Sequence, residues 1–167
     1  MKIHIIGGSG SGKSTLAEKL SRKYAIPHYD LDDLQWDATE AYGKKRDPAE
    51  RDALLSDILQ KEGWIIEGVY YAWCTRCFEE ADRIYLLSPP VSLCKRRIIR
   101  RFIRRKLGRE EGKKETLRDL TALLRWTDQY QQKNLPAIRE LLAAYPDKVV
   151  EISDPSDAER EMLLQKE

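Results

Sequence analysis

Three features of the sequence predict an α/β fold, a three-layer sandwich around a five-stranded parallel sheet. Five short apolar runs rich in β-formers are separated by stretches with helical apolar spacing. That alternation calls for parallel pairing through right-handed crossovers, with helices on both sheet faces. The 167 residues suffice for one domain whose core needs no disulfide or metal staple.

Each element has its own signal. Lys2–Ile6 is an apolar run stopped by glycines, and from Ser14 to Tyr24 the residues Leu16, Leu20 and Tyr24 recur every four positions among charges. Ile26-Pro27-His28-Tyr29 leads into a second strand ending at Asp30. Leu54, Leu55, Ile58 and Leu59 mark a helix over 52–62, with Asp47-Pro48 as its start. Trp64-Ile65-Ile66 is a third strand ending at Glu67-Gly68, and 82–88 a fourth, stopped by Pro89-Pro90. A long helix follows, with Ile98, Ile99, Phe102 and Ile103 on one side and Arg97, Arg100, Arg101, Arg104 and Arg105 on the other. A charged loop over 108–114 precedes a mostly helical 116–145, interrupted at Pro136. Lys148–Ile152 is the fifth strand, and 155–164 a closing helix.

Composition removes whole classes. Hydrophobic residues at 41% and charged at 35% describe a globule rather than a disordered chain. No apolar run approaches the roughly 18 residues of a membrane helix, so no membrane partner is expected. The opening Met1-Lys2-Ile3-His4-Ile5-Ile6-Gly7 leaves no room for a leader, and three cysteines suit a reducing compartment; the expected location is the cytoplasm. Net charge is +2, but eight basic residues and no acid lie between Lys95 and Lys106. With those set aside, 22 basic residues face 28 acidic ones. One segment carries the positive charge, and a polyanion is its natural partner.

Gly7-Gly8-Ser9-Gly10-Ser11-Gly12-Lys13-Ser14 matches the phosphate-loop pattern G-x-x-x-x-G-K-[ST] at every position, between an apolar strand and an amphipathic helix. Glycines let successive backbone N–H groups point inward at phosphate oxygens, and the helix N-terminus adds its positive dipole end. Lys13 reaches the β- and γ-phosphates, and the Ser14 hydroxyl is a ligand for Mg²⁺. Residues 7–14 with Thr15 are the expected nucleotide contacts. No N-K-x-D tetrad for guanine is present.

With this loop, Leu31-Asp32-Asp33-Leu34-Gln35-Trp36 and Trp64-Ile65-Ile66-Glu67-Gly68-Val69-Tyr70 complete three blocks that resemble the nucleoside monophosphate kinase-like branch, which includes adenylate, shikimate and gluconate kinases. Within it, the chain is most similar to the bacterial DNA topology modulation proteins. The resemblance implies ATP and Mg²⁺ as cofactors and transfer of the γ-phosphoryl group to an acceptor of unstated identity. It implies an acceptor-binding segment over about 31–62 and an arginine-bearing lid over about 95–118. Glu67-Gly68 stands where such kinases carry Asp-Gly, which places Glu67 near Mg²⁺, directly or through water. Asp32, with Asp30 as second choice, matches the acid that contacts the acceptor or the metal shell; such a carboxylate takes the proton of an acceptor hydroxyl. Arg97 and Arg101, four apart after Pro90, resemble the lid arginines, Arg97 beside the base and Arg101 at the transferring phosphoryl. Arg125, rather than Arg118, is the expected return arginine. The loop over 153–156 is the expected seat of adenine.

Other signals are read as structural. Cys74-x-x-Cys77 is a lone pair without a nearby His and does not read as a zinc site. His4 is expected in the core or an interface, and His28 within reach of the acceptor site but without an assigned role; the four tryptophans are expected mostly in the core, with Trp36 and Trp73 as candidates to line an acceptor pocket. Lys44, Lys45, Arg46 and Arg51 make a phosphorylated acceptor one reading of the segment over 39–51. The competing class is an ATP-binding regulator that holds DNA through the basic helix. No helix-turn-helix, zinc finger or stacking platform accompanies that helix.

Overall fold

The chain is described by a computed structural model covering residues 1–37, 44–109, 116–154 and 157. Its five strands are β1 (Lys2–Gly7), β2 (His28–Asp30), β3 (Trp64–Gly68), β4 (Arg83–Leu87) and β5 (Val149–Ile152). All pair in parallel in the order β2-β3-β1-β4-β5. The helices are α1 (Lys13–Tyr24), α2 (Leu31–Gln35), α3 (Pro48–Leu59), α4 (Thr75–Glu80), α5 (Val91–Lys106), α6 (Leu117–Gln129) and α7 (Leu135–Leu142).

The apolar runs are continuous because both sheet faces are buried. Ile3, Ile5, Ile65, Tyr85 and Leu87 meet Leu16 and Leu20 of α1 on one face. Ile6, Ile66, Ile84 and Leu86 meet α3, α4 and α7 through Leu55, Phe78 and Ile138 on the other. Each fully buried Ile or Leu contributes about 1.5–3 kcal/mol. α2 and α4 escape the periodicity because they span five and six residues, less than two helical turns. Pro136 falls within the first turn of α7, and a π-helical turn (Tyr130–Asn134) precedes it. The wide turn accommodates the missing proline N–H, so the helix continues where an interruption was expected. Residues 110–114 of the expected charged loop, 155–156 of the expected adenine loop and all of the expected closing helix except Asp157 lie outside the described residues, as does 38–43 of the acceptor segment.

The long helix departs from the predicted division of faces. Cys94, Ile98 and Phe102 are buried, whereas Ile99 and Ile103 are 39% and 49% exposed. At 100° per residue the core row is 94-98-102. Arg97, Arg101 and Arg105 flank it on one side and are half-buried; Ile99 and Ile103 flank it on the other, and Arg100 and Arg104 point outward.

His4 sits in β1 with its ring edge-on to Phe78 at 4.7 Å, fully buried, neither nitrogen hydrogen-bonded among the described residues. Burial lowers its pKa to about 3. An unfolded His binds a proton below its ordinary 6.5 while the folded one does not, so stability is lost as pH falls from 6.5 toward 3. At pH 5 the loss is about 2 kcal/mol. Urea unfolding of His4→Leu at pH 7 and pH 5 is expected to show a difference between the two pH values smaller than wild type's by about that amount. An unchanged difference contradicts the neutral buried state.

Candidate active site

Strand register assembles the site. β1 ends at Gly7, and the chain turns through the loop into α1, whose N-cap Gly12 is left-handed (φ 101°). Asp30 of β2 pairs in register with Glu67 of β3, which also faces Ile5 of β1, so both carboxylates emerge beside the loop. This is the carboxyl edge of the sheet, where open α/β folds bind ligands.

Glu67 is 1% exposed and joins the loop to its neighbours. The Ser14 hydroxyl donates to its Oε1 at 2.5 Å, Lys13 Nζ lies 3.7 Å from its Oε2, and His28 Nε2 lies 3.9 Å from Oε1. The extra methylene of Glu over Asp thus spans the gap to Ser14. Lys13 Nζ also donates to the Gly8 carbonyl at 3.5 Å. Asp30 is crowded by acids: burial first, then repulsion from Glu67, raise its pKa to about 7 against the Asp32 backbone N–H and Lys13, which lower it. Ser14 and Glu67 are adjacent hard oxygen donors in an acid-rich pocket, which fits Mg²⁺; that ion takes one or two protein ligands and completes its shell with phosphates and water. Asp32, expected near the metal, is engaged elsewhere.

Asp30 caps α2 by accepting from the Asp32 N–H at 2.9 Å, and this turns Asp32 outward. The Tyr70 hydroxyl, on the loop after β3, donates to Asp32 Oδ1 at 2.7 Å. Burial and this bond push the Tyr70 phenol upward in pKa, so it stays a donor. The expected basic acceptor residues are occupied. Arg46 donates to the Leu34 carbonyl at 3.0 Å and to Glu50 at 2.6 Å; Arg51 lies over the Trp73 ring at 4.2 Å and bonds Asp52. Lys45 stands 6.0 Å from the Trp36 ring centre.

On the lid side, Arg97 donates to the Gly10 and Ser11 carbonyls at 3.3 and 3.1 Å, so it braces the loop. Arg101, one turn on, is half-buried with its Nε unpartnered among the described residues. Lys95 pairs with Asp128 of α6 at 2.7 Å. Arg118 and Arg125 are exposed on α6, and no described hydrogen bond joins either to the loop. Ser9 and Thr15 complete the loop and the first turn of α1. Cys74 and Cys77 are buried thiols, with Cys74 Sγ donating to the Tyr70 carbonyl at 3.1 Å.

Sequence reasoning placed His28 within reach of the acceptor site without a role, where the structure sets it beside Glu67; it missed Tyr70 as the partner of Asp32, and Tyr130. Tyr130 begins the π turn; a methyl group on Gly8 would lie 2.8 Å from its ring. Only His28 had a local signal, two residues before Asp30 on the same strand face.

Among solved structures, a gluconokinase from Sinorhizobium meliloti 1021 superimposes with a TM-score of 0.53 at 15% identity, covering 90% of this chain and 81% of that one. With the strand order and the loop, this defines the fold as that of a P-loop kinase. A Bacillus subtilis (strain 168) protein, YqaC, described as uncharacterized, is 34% identical over 97 residues, 58% of this chain. The match spans 53% of that relative's length. No family model matches. No described helix is long and apolar enough to cross a membrane.

Proposed function

We propose that the protein is an ATP-dependent kinase that moves the γ-phosphoryl group to a hydroxyl of a small acceptor. The observation that carries this reading is the Asp32–Tyr70 pair, an exposed carboxylate held by a phenol and joined through its backbone N–H to Asp30, which pairs in register with Glu67. The loop residues 7–14 bind the phosphates, Lys13 stabilises charge on the transferring group, and Ser14 with Glu67 holds Mg²⁺. When bound, that ion neutralises charge on the terminal phosphates. Asp32 accepts the hydroxyl proton as the oxygen attacks phosphorus. Arg101 closes on the phosphoryl oxygens from α5, while Arg97 keeps the loop in shape.

A hydroxyl acceptor is favoured over a phosphate because Arg46 and Arg51 are committed to the acceptor segment itself. The solved neighbour, by its name a kinase of gluconate, supports the same class. Membership among the DNA topology modulation proteins is proposed from the three sequence blocks. Cytoplasmic residence is proposed with it. A role on DNA is not favoured: Arg97 is engaged by the carbonyls of the phosphate loop and Lys95 is paired with Asp128.

For Asp32→Asn, acceptor-stimulated ADP release from Mg·ATP is expected to fall about 10²–10⁴-fold in kcat, with KM for ATP unchanged. A rate within threefold of wild type contradicts the base role and returns the reading to a phosphate acceptor.

A further inference from the structure

Tyr130 stands where the phosphate loop, α5 and the loop after β3 converge. Its side chain is 4% exposed, yet its hydroxyl finds no hydrogen-bond partner among the described residues. An unpaired buried hydroxyl costs about 1–3 kcal/mol, so a folded protein that retains one calls for an explanation.

Geometry narrows the explanation. The ring lies directly on Gly8: a Cβ there would be 2.8 Å from Cδ1 and 3.0 Å from Cε1. Gly8 is also the residue whose carbonyl receives the Lys13 ammonium, so ring and ammonium flank the same peptide. That ammonium serves the β- and γ-phosphates in loops of this type, which makes Gly8 the transfer end of the loop. Tyr71, on the loop after β3 that also carries the Asp32 partner Tyr70, is near enough to act on the Tyr130 phenol, as is Cys94 of α5. The Trp126 ring packs on it, tilted, with centroids 5.3 Å apart. The backbone agrees: Tyr130 opens a π-helical turn, a form found often at functional sites.

We propose that Tyr130 is a binding residue for the terminal phosphoryl group, donating its hydroxyl to a γ-phosphate oxygen when Mg·ATP occupies the loop. The inference rests on the kinase reading above. Burial pushes the phenol upward in pKa, so it remains a donor at every pH at which the enzyme works. A neutral donor binds phosphate without adding a charge that would compete with Lys13 for Glu67.

The test is Tyr130→Phe, which removes one oxygen and leaves the ring on Gly8. Calorimetric titration with Mg²⁺ and an ATP analogue bridged by nitrogen between the β- and γ-phosphorus is compared with titration by Mg·ADP. The analogue is expected to bind roughly tenfold more weakly to the variant, in line with a hydrogen bond to a charged group. ADP affinity should be unchanged. The Tm without ligand should be equal to wild type's or higher, since an unpaired hydroxyl has been removed. Equal loss for both nucleotides, a lower Tm, or no loss for either overturns the assignment. Lys13→Ala is titrated alongside. If wild type binds the analogue and Lys13→Ala does not, a normal Tyr130→Phe disproves the tyrosine's role alone. If wild type fails to bind, the nucleotide reading falls with it.

Discussion

Lys13→Ala is expected to reduce acceptor-stimulated ADP release at least about 10²–10³-fold, the cost of one donor aimed at developing charge. The structure adds a second consequence. Lys13 is the cation 3.7 Å from Glu67, a carboxylate 1% exposed, and removing it leaves that charge to Ser14 and His28. Uncompensated buried charge is costly, so the variant should also be less stable, by a few kcal/mol at most because the lysine keeps some solvent contact. The double variant Lys13→Met, Glu67→Gln separates the two effects. It should recover stability, measured by urea unfolding, and remain inactive. No recovery of stability in the double variant would show that the loss does not come from the charge left on Glu67.

The second large effect is expected at Gly10. Its φ is +74°, and a Cβ would lie 2.6 Å from the Cys94 carbonyl oxygen and 3.1 Å from the carbonyl carbon, both backbone atoms of α5. Left-handed φ costs an alanine about 1–2 kcal/mol, and the overlap forces the start of α5 away from the loop. Arg97, which bonds the Gly10 and Ser11 carbonyls, would move with it. Gly10→Ala should therefore lose about 2–4 kcal/mol of stability and at least tenfold in Mg·ATP affinity. Gly108→Ala is the control: its φ is +65°, but a Cβ there meets nothing within 4 Å. It should lose only the backbone cost, about 1 kcal/mol, and bind nucleotide normally. Equal effects of the two substitutions would show that contact between loop and helix is unimportant.

What the sequence made legible followed from local chemistry. The loop announces itself by spacing, and Asp30 and Glu67 stand out as acids ending apolar runs that a parallel sheet brings to one edge. Arg97 was found by its spacing, though its partners in the structure are the carbonyls of the loop. The apolar faces of α5 were misjudged because Ile99 and Ile103 were read with Ile98 and Phe102 as one stripe. The packing uses only the row of Cys94, Ile98 and Phe102, and Ile99 and Ile103 form a second, exposed apolar edge. Tyr130 was invisible for another reason. Its contact with Gly8 joins residues far apart in sequence, through a π turn that no periodicity reveals. Arg46 and Arg51 looked like free cations until α2, Trp73 and Glu50 were in place around them.

The most direct measurement is ADP release from Mg·ATP, read against small hydroxylated metabolites, nucleosides and nucleoside monophosphates, with Lys13→Ala as blank. A P-loop kinase with Asp32 as base predicts acceleration well above the water background by a hydroxylated acceptor and none by monophosphates. Acceleration by a nucleoside monophosphate would contradict the hydroxyl reading. Stimulation by duplex DNA with no response to any acceptor would contradict the kinase itself.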